Sequence, residues 1–302
     1  MHIQAEQLVK TYDGMAVVKS VSFAARPGAI LGLVGPAGSG KTTILNMLLG
    51  ITPPDKGTVT VDETPLSRAH FDRIGYLAQE RGVYTDDTLN NSLVYIARLK
   101  GLSRKKATVE AVRLIDRFKL IDQMDTTAAA LPAEIREKLM IMMTVIHNPA
   151  IVIVDEPFAN LAPINQQLLR KLLHRFRGDG KTIIIATADF DAAEALCDEV
   201  VMLRSGRPVI TDSVANLRAS FKENLVLVEA ADNLQSLQGL HGVKKLVLEK
   251  QTARLYIDNR IPARKVLELI LQSVNVTRLE VYRPRLHDIY LEAAGAPDKE
   301  TA

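Results

Sequence analysis

Two short stretches carry residue types whose spacing specifies chemistry. Gly35-Pro36-Ala37-Gly38-Ser39-Gly40-Lys41-Thr42 fits G-x-x-x-x-G-K-[ST] in full, between an apolar run, AILGLVG, and a helical run, TTILNMLLG. Glycines let such a loop wrap, so that backbone N–H groups and the start of the helix point at phosphate oxygens. Lys41 then neutralises the β and γ phosphates, the Thr42 hydroxyl ligates Mg²⁺, and Thr43 completes the phosphate-binding set. The motif therefore predicts a site for ATP with Mg²⁺.

Ile151-Val152-Ile153-Val154-Asp155-Glu156 supplies the second half. An Asp at the end of a buried strand binds the magnesium water shell, and an adjoining Glu orients or deprotonates the attacking water. Alone, a strand ending in acids is better explained by its reaching solvent. Beside a phosphate loop, Asp155 reads as a metal ligand and Glu156 as the catalytic base.

Such residues need a sheet and helix starts to hold them. The first 35 residues alternate apolar segments with turn signals and read as strands, and Lys41 to Leu49 reads as a helix closed by Gly50. From about Thr88 to His147 three segments show apolar residues at i, i+3 and i+4, which predicts a helical subdomain (about 80–148) inserted into an α/β core. Within it, the Met-rich run from Leu139 to Met143 is helix core. IVIVDE and TIIIATA are apolar on both faces, as central strands of a helix-covered parallel sheet must be. From Asn224 the order strand, helix, strand, strand, helix, strand predicts a split βαβ, ferredoxin-like domain, with LHDIYLEAA as a last helix. The expected fold is α/β: a mixed sheet core, an antiparallel β subdomain and a helical subdomain over 1–222. A small α+β ferredoxin-like domain with a short flexible tail follows over 223–302.

Composition narrows the function classes. The chain has 302 residues, 47% of them hydrophobic, and a formal net charge of +3. From Glu223 onward eleven Lys/Arg face eleven Asp/Glu, so charge implies no nucleic-acid-binding face. The single cysteine, Cys197, fits a reducing compartment. The N-terminus lacks signal-peptide features and no apolar run is long enough for a membrane span, so the expected place is the cytoplasm and any membrane role comes through a partner.

With both motifs and their spacing, residues 1–222 resemble the ATP-binding cassette (ABC) family, the ATPase subunits of ABC transporters. Tyr12 in KTYDG resembles the aromatic that stacks on adenine. Gln79 in IGYLAQERGVY resembles the Q-loop glutamine, and DEPFANLAP resembles the acidic strand end with its D-loop. The resemblance gives Gln79 a double role, sensing Mg²⁺ and the catalytic water while touching the permease's coupling helix. YIARLKGL and RLHDIYLEAAG look like the sodium- and drug-exporter ATPases that carry a small C-terminal domain. The resemblance implies an ATP-hydrolysing subunit, peripheral on the inner face of the membrane through a separate permease, and paired with a second ABC ATPase subunit. Two alternatives are a nucleotide-binding regulatory subunit with little hydrolysis and a soluble, non-transport ABC protein. The latter usually has two cassettes or a long coiled coil, and neither is present.

Three positions depart from the family pattern, and all concern the γ-phosphate. Leu131-Pro132-Ala133-Glu134-Ile135 stands where the family has its LSGGQ-like signature, Ala188 where it has a switch histidine, and Ala162 where it has the D-loop aspartate. The signature's serine hydroxyl and glycine amides are gone. Pro132 at a first-turn position, with Glu134 and Glu137 near the positive end of the dipole, is helix-start chemistry. A glutamate facing a triphosphate at roughly 4 Å opposes closure by a few kcal/mol at an intermediate dielectric. The expectation is a chain that binds ATP and alone hydrolyses it slowly.

Overall fold

The computed structural model describes residues 1–79, 86–159, 161–220, 224–230, 232–249, 252–258, 260–282 and 285–294. Residues 80–85 of the Q-loop stretch, residue 160 of the D-loop stretch, the expected domain boundary at 222–223 and the tail from 295 lie outside these. The chain divides into two compact units, Met1–Ser213 together with Ala293–Ala302, and Val214–Glu292.

In the first unit, β1 (Ile3–Tyr12) and β2 (Met15–Ala25) form an antiparallel hairpin. Its two-residue turn, Asp13 and Gly14, has φ of 48° and 77°. These left-handed residues match the twist of the flanking strands, which is why Asp-Gly belongs there. Then follow β3 (Ile30–Val34), α1 (Lys41–Leu48), β4 (Lys56–Val61), β5 (Thr64–Pro65), α2 (Arg68–Phe71) and β6 (Ile74–Leu77). A helical lobe of α3 (Leu89–Leu99), α4 (Arg104–Arg117) and α5 (Ala133–Val145) comes next. It closes on its own core of Leu93, Ala111, Ile115 and Met142. The chain returns through β7 (Ile151–Asp155), α6 (Pro163–Gly178), β8 (Thr182–Thr187), α7 (Phe190–Leu196), β9 (Glu199–Arg204) and β10 (Arg207–Ser213).

Two sheets result. One is antiparallel, in the order β2-β1-β4-β5; the other runs β10-β9-β3-β8-β7-β6, parallel except for the antiparallel edge strand β10. Every residue of β3, β7 and β8 is buried, as their unbroken apolar runs require. In register, Val34 pairs with Thr187 and Asp155 with Ala186, so the carboxyl ends of three central strands lie side by side. In open α/β sheets ligands bind beyond those ends.

The second unit contains α8 (Val214–Ser220), β11 (Asn224–Ala230), β12 (Val243–Glu249), β13 (Thr252–Ile257), α9 (Ala263–Ser273), β14 (Val276–Tyr282) and α10 (Leu286–Ala294) as far as Glu292. Its antiparallel sheet has the order β12-β13-β11-β14, that of a split βαβ fold. One element differs from expectation: NLQSLQGL forms a 3₁₀ helix over Leu234–Gly239. Asn233 accepts from the Gln235 N–H at 3.0 Å, and the Ser236 hydroxyl donates back to the Asn233 carbonyl at 2.9 Å. Such local bonds compete with the α-helical ladder over a segment this short. Among the described residues, no helix is long and apolar enough to cross a membrane.

Candidate functional site

The loop between β3 and α1 is fixed by its glycines. A Cβ on Gly35 would lie 2.3 Å from the Leu203 carbonyl oxygen, so only glycine fits. Gly40, the residue before α1, has φ of 99°. Pro36, Ala37 and Gly38 form an exposed rim, while Ser39 and Lys41 are buried. The Lys41 ammonium donates to the Gly35 and Pro36 carbonyls at 2.8 and 3.0 Å and lies 3.6 Å from the Glu156 carboxylate. Burial lowers its pKa, opposed by the charge of Glu156. Thr43 follows Thr42 on α1, half-buried.

Asp155, at the end of β7, is 1% exposed. One carboxylate oxygen accepts from the Thr42 hydroxyl at 3.0 Å, and the other is buried with no partner among the described residues. Burial raises its pKa, and the Thr42 bond opposes the rise. The Tyr76 phenol on the neighbouring strand β6 is pushed up to about 12 by burial and by the charge of Asp155. The next residue, Glu156, takes a left-handed backbone with φ of 43°, unusual for a non-glycine. Its N–H donates to the Ala186 carbonyl at 2.8 Å. Its carboxylate accepts from the Thr187 hydroxyl at 3.1 Å and from the Ala188 N–H at 3.0 and 3.2 Å. Position 188 thus lacks a side-chain donor, yet its backbone donor is engaged with Glu156. Thr187 in turn accepts from the Asp189 N–H at 3.0 Å.

The fold therefore brings Lys41, Thr42, Asp155 and Glu156 into one cluster, with Thr42 hydrogen-bonded to Asp155 and Lys41 ion-paired with Glu156. The Thr42 hydroxyl and an Asp155 oxygen without a partner among the described residues form a hard-oxygen donor set, which fits a magnesium ion. Tyr12, at the end of β1, is 43% exposed, with the Lys10 ammonium 5.7 Å from its ring centre. Gln79, two residues beyond β6, is exposed. Among the described contacts, neither residue touches the cluster.

The start of α5 is organised differently. Pro132 is the residue before the first turn and makes no side-chain cap; Ala133 and Glu134 are exposed. Glu137 does not serve its own helix. Its carboxylate accepts from the Ala162 N–H at 3.0 Å and from the Asn165 amide at 2.7 Å, and the same amide donates to the Glu134 carbonyl at 2.8 Å. Ala162 caps the start of α6 and Asn165 is fully buried. Sequence reasoning missed Thr187, Asn165 and this use of Glu137. One signal was available: Asn165 falls on the stripe of Leu169, Leu172 and Leu173, where a buried amide demands a partner.

Comparison with known proteins places these features in context. The ABC transporter family profile matches residues 18–159, and that of the C-terminal domain of DrrA1-3-like ATP-binding proteins matches residues 213–294. The chain is 32% identical over 263 residues to an uncharacterized ABC transporter ATP-binding protein of Alkalihalophilus pseudofirmus, covering 87% of this chain and 98% of that one. It is 30% identical over 300 residues to the Nod factor export ATP-binding protein I of Burkholderia pseudomallei, covering 97% of each. In fold it resembles the solved ATP-binding subunit of an ABC transporter, with a TM-score of 0.67 and 24% identity over 73% of this chain and 93% of that one.

Proposed function

The chain belongs to the family of ABC transporter ATP-binding proteins and is an ABC-type ATPase; from that premise, we propose that it energises export through a separate membrane permease. The reading rests foremost on one observation. Lys41, Thr42, Asp155 and Glu156 meet at the carboxyl end of the central sheet, with an Asp155 oxygen that has no partner among the described residues. The likeness to a Nod factor export protein and the absence of a membrane-crossing helix among the described residues support export through a partner on the inner face of the membrane.

In this reading, the backbone from Gly35 to Thr43 and the Lys41 ammonium hold the phosphates, Thr42 and Asp155 hold the magnesium, and Tyr12 lies against the adenine. Bound magnesium would neutralise phosphate charge. Glu156 orients the attacking water or takes its proton, with Gln79 beside it. The Thr187 and Ala188 donors already orient its carboxylate, which keeps an acceptor position for the water. A second ABC subunit completes the site. Because Leu131–Ile135, Ala162 and Ala188 lack the side chains that would present the γ-phosphate, the chain alone turns over slowly.

Magnesium and ATP together should raise the melting temperature of the purified chain, because a ligand of the native state stabilises it by about 2.7 kcal/mol at a hundred times its Kd. Lys41→Ala should abolish the shift. An unchanged melting curve at millimolar ATP, or a full shift in the variant, would refute the site.

A further inference from the structure

The first unit holds a second feature that shares no residue with the Lys41–Glu156 cluster. The end of α4, the side of α5 and the outer face of α6 enclose a cavity of about 370 Å³. Of its ten lining residues five are cationic (Arg117, Lys119, Lys138, Lys171 and Arg175), and none is acidic. The whole chain has 38 Lys/Arg against 35 Asp/Glu, so evenly mixed charge would put acids there too. The floor is apolar, formed by Phe118, Leu168 and the buried Leu172, with Ile164 56% exposed at its edge.

Solvated cations are the ordinary explanation for such residues, and at the end of α4 Arg117 and Lys119 also suit the helix dipole. The dipole does not account for Lys138 and Lys171, which sit within α5 and α6, away from any carboxyl terminus. Arg175 has an ion-pair partner, Asp179 at 3.7 Å. Among the described residues, no hydrogen bond or ion pair engages the side chain of Arg117, Lys119, Lys138 or Lys171. Three helices thus converge unpaired cations on one concave, greasy space.

The space is also elongated. A second cavity of about 430 Å³ shares Arg117, Phe118, Leu172 and Arg175 with the first and extends along α4 to Lys106, with Glu110 and Asp179 as its acids. From Lys106 to Arg117 the helix advances about 16 Å, the reach of roughly five residues of extended chain. We propose that this groove docks an acidic segment of a partner protein, whose carboxylates meet the cationic rim while a large apolar side chain fills the cavity over Phe118 and Leu172. Charge complementarity chooses the sign, and the floor chooses the polymer. A phosphate backbone would satisfy the cations but leave Ile164 and Phe118 without an apolar partner. A bilayer surface is too flat to follow a groove between helices.

Fluorescence anisotropy on the full chain tests this, with labelled twelve-residue peptides that share the same Leu and Phe content and vary in net charge from about −6 to +6. Affinity should rise at least tenfold from the most basic to the most acidic peptide and weaken with salt. Arg117→Glu with Lys171→Glu should lower acidic-peptide affinity at least tenfold, and the neutral pair Arg117→Gln with Lys171→Gln several-fold. Lys265→Glu in the second unit should leave it unchanged, and all variants should keep the wild-type melting temperature and ATP response. The proposal is overturned if affinity ignores peptide charge, if the reversed pair binds like wild type, or if a single-stranded oligonucleotide or an anionic phospholipid vesicle binds as tightly as the acidic peptide.

Discussion

The starts of α1 and α5 are both helix N-termini beside strand ends or loops of the same unit, and they are built for different neighbours. The start of α1 has no acid in its first turn, a left-handed glycine before it and a buried lysine at its first position. Its peptide amides are left to face an anion, and a positive charge stands among them. The start of α5 has a proline before it and Glu134 in its first turn, and Glu137 reaches across to the start of α6. Here the partner is protein, and the junction is closed by hydrogen bonds to a buried asparagine. One helix start is arranged for a ligand and the other for packing. Packing requires the α5 helix whether or not its first turn offers donors.

If α5 is retained for packing, its ends should matter to stability and not to nucleotide. The largest effect concerns His147, two residues past α5. Its imidazole is bonded to the Ile74 carbonyl at 3.2 Å through Nε2, while Nδ1 is buried without a partner among the described residues. Burial, with Lys100 and Lys181 facing it and Asp72 only partly compensating, pushes its pKa from 6.5 to about 4. The native state thus holds it neutral where the unfolded chain would protonate. Its contribution is complete above pH 6.5 and is lost as pH falls from 6.5 toward 4, a loss of up to about 3 kcal/mol. Urea unfolding across that range should show it, and His147→Leu should flatten the dependence. Equal slopes in both proteins would remove His147 from the account.

Glu137→Ala comes next. It strips the acceptor from the Ala162 N–H and from one bond of the buried Asn165 amide, and unpaired buried groups cost about 1 to 3 kcal/mol. The variant should unfold at lower urea yet keep its ATP-induced shift. Loss of ATP binding without loss of stability would erase the contrast between the two helix starts. The smallest effect is Pro132→Ser, which supplies the missing side-chain cap and should stabilise by about 0.5 to 1 kcal/mol without raising turnover by itself.

Much of the ligand-facing half was legible in the sequence because backbone geometry dictates it. Gly35 has no room for a Cβ, the Asp13-Gly14 turn needs left-handed residues, and β7 and β8 need continuous apolar runs. The packing-facing half was less legible. Thr187 meets Glu156 and Glu137 meets Asn165 only because the sheet and α6 bring together residues about 30 positions apart. The 3₁₀ segment after Asn233 escaped for a local reason, since short side-chain bonds override apolar periodicity there.

The central claim is that the nucleotide-holding half is complete while the γ-phosphate-presenting half lacks its side-chain donors. Removing one donor at a developing charge commonly costs about 10²- to 10³-fold in rate. The direct measurement is phosphate release by the isolated chain, compared with Glu156→Gln and Ala188→His. The account predicts slow wild-type turnover, far below about 1 per second, abolished by Glu156→Gln and raised by Ala188→His. Wild-type turnover of about 1 to 10 per second, with Ala188→His adding nothing, would contradict it.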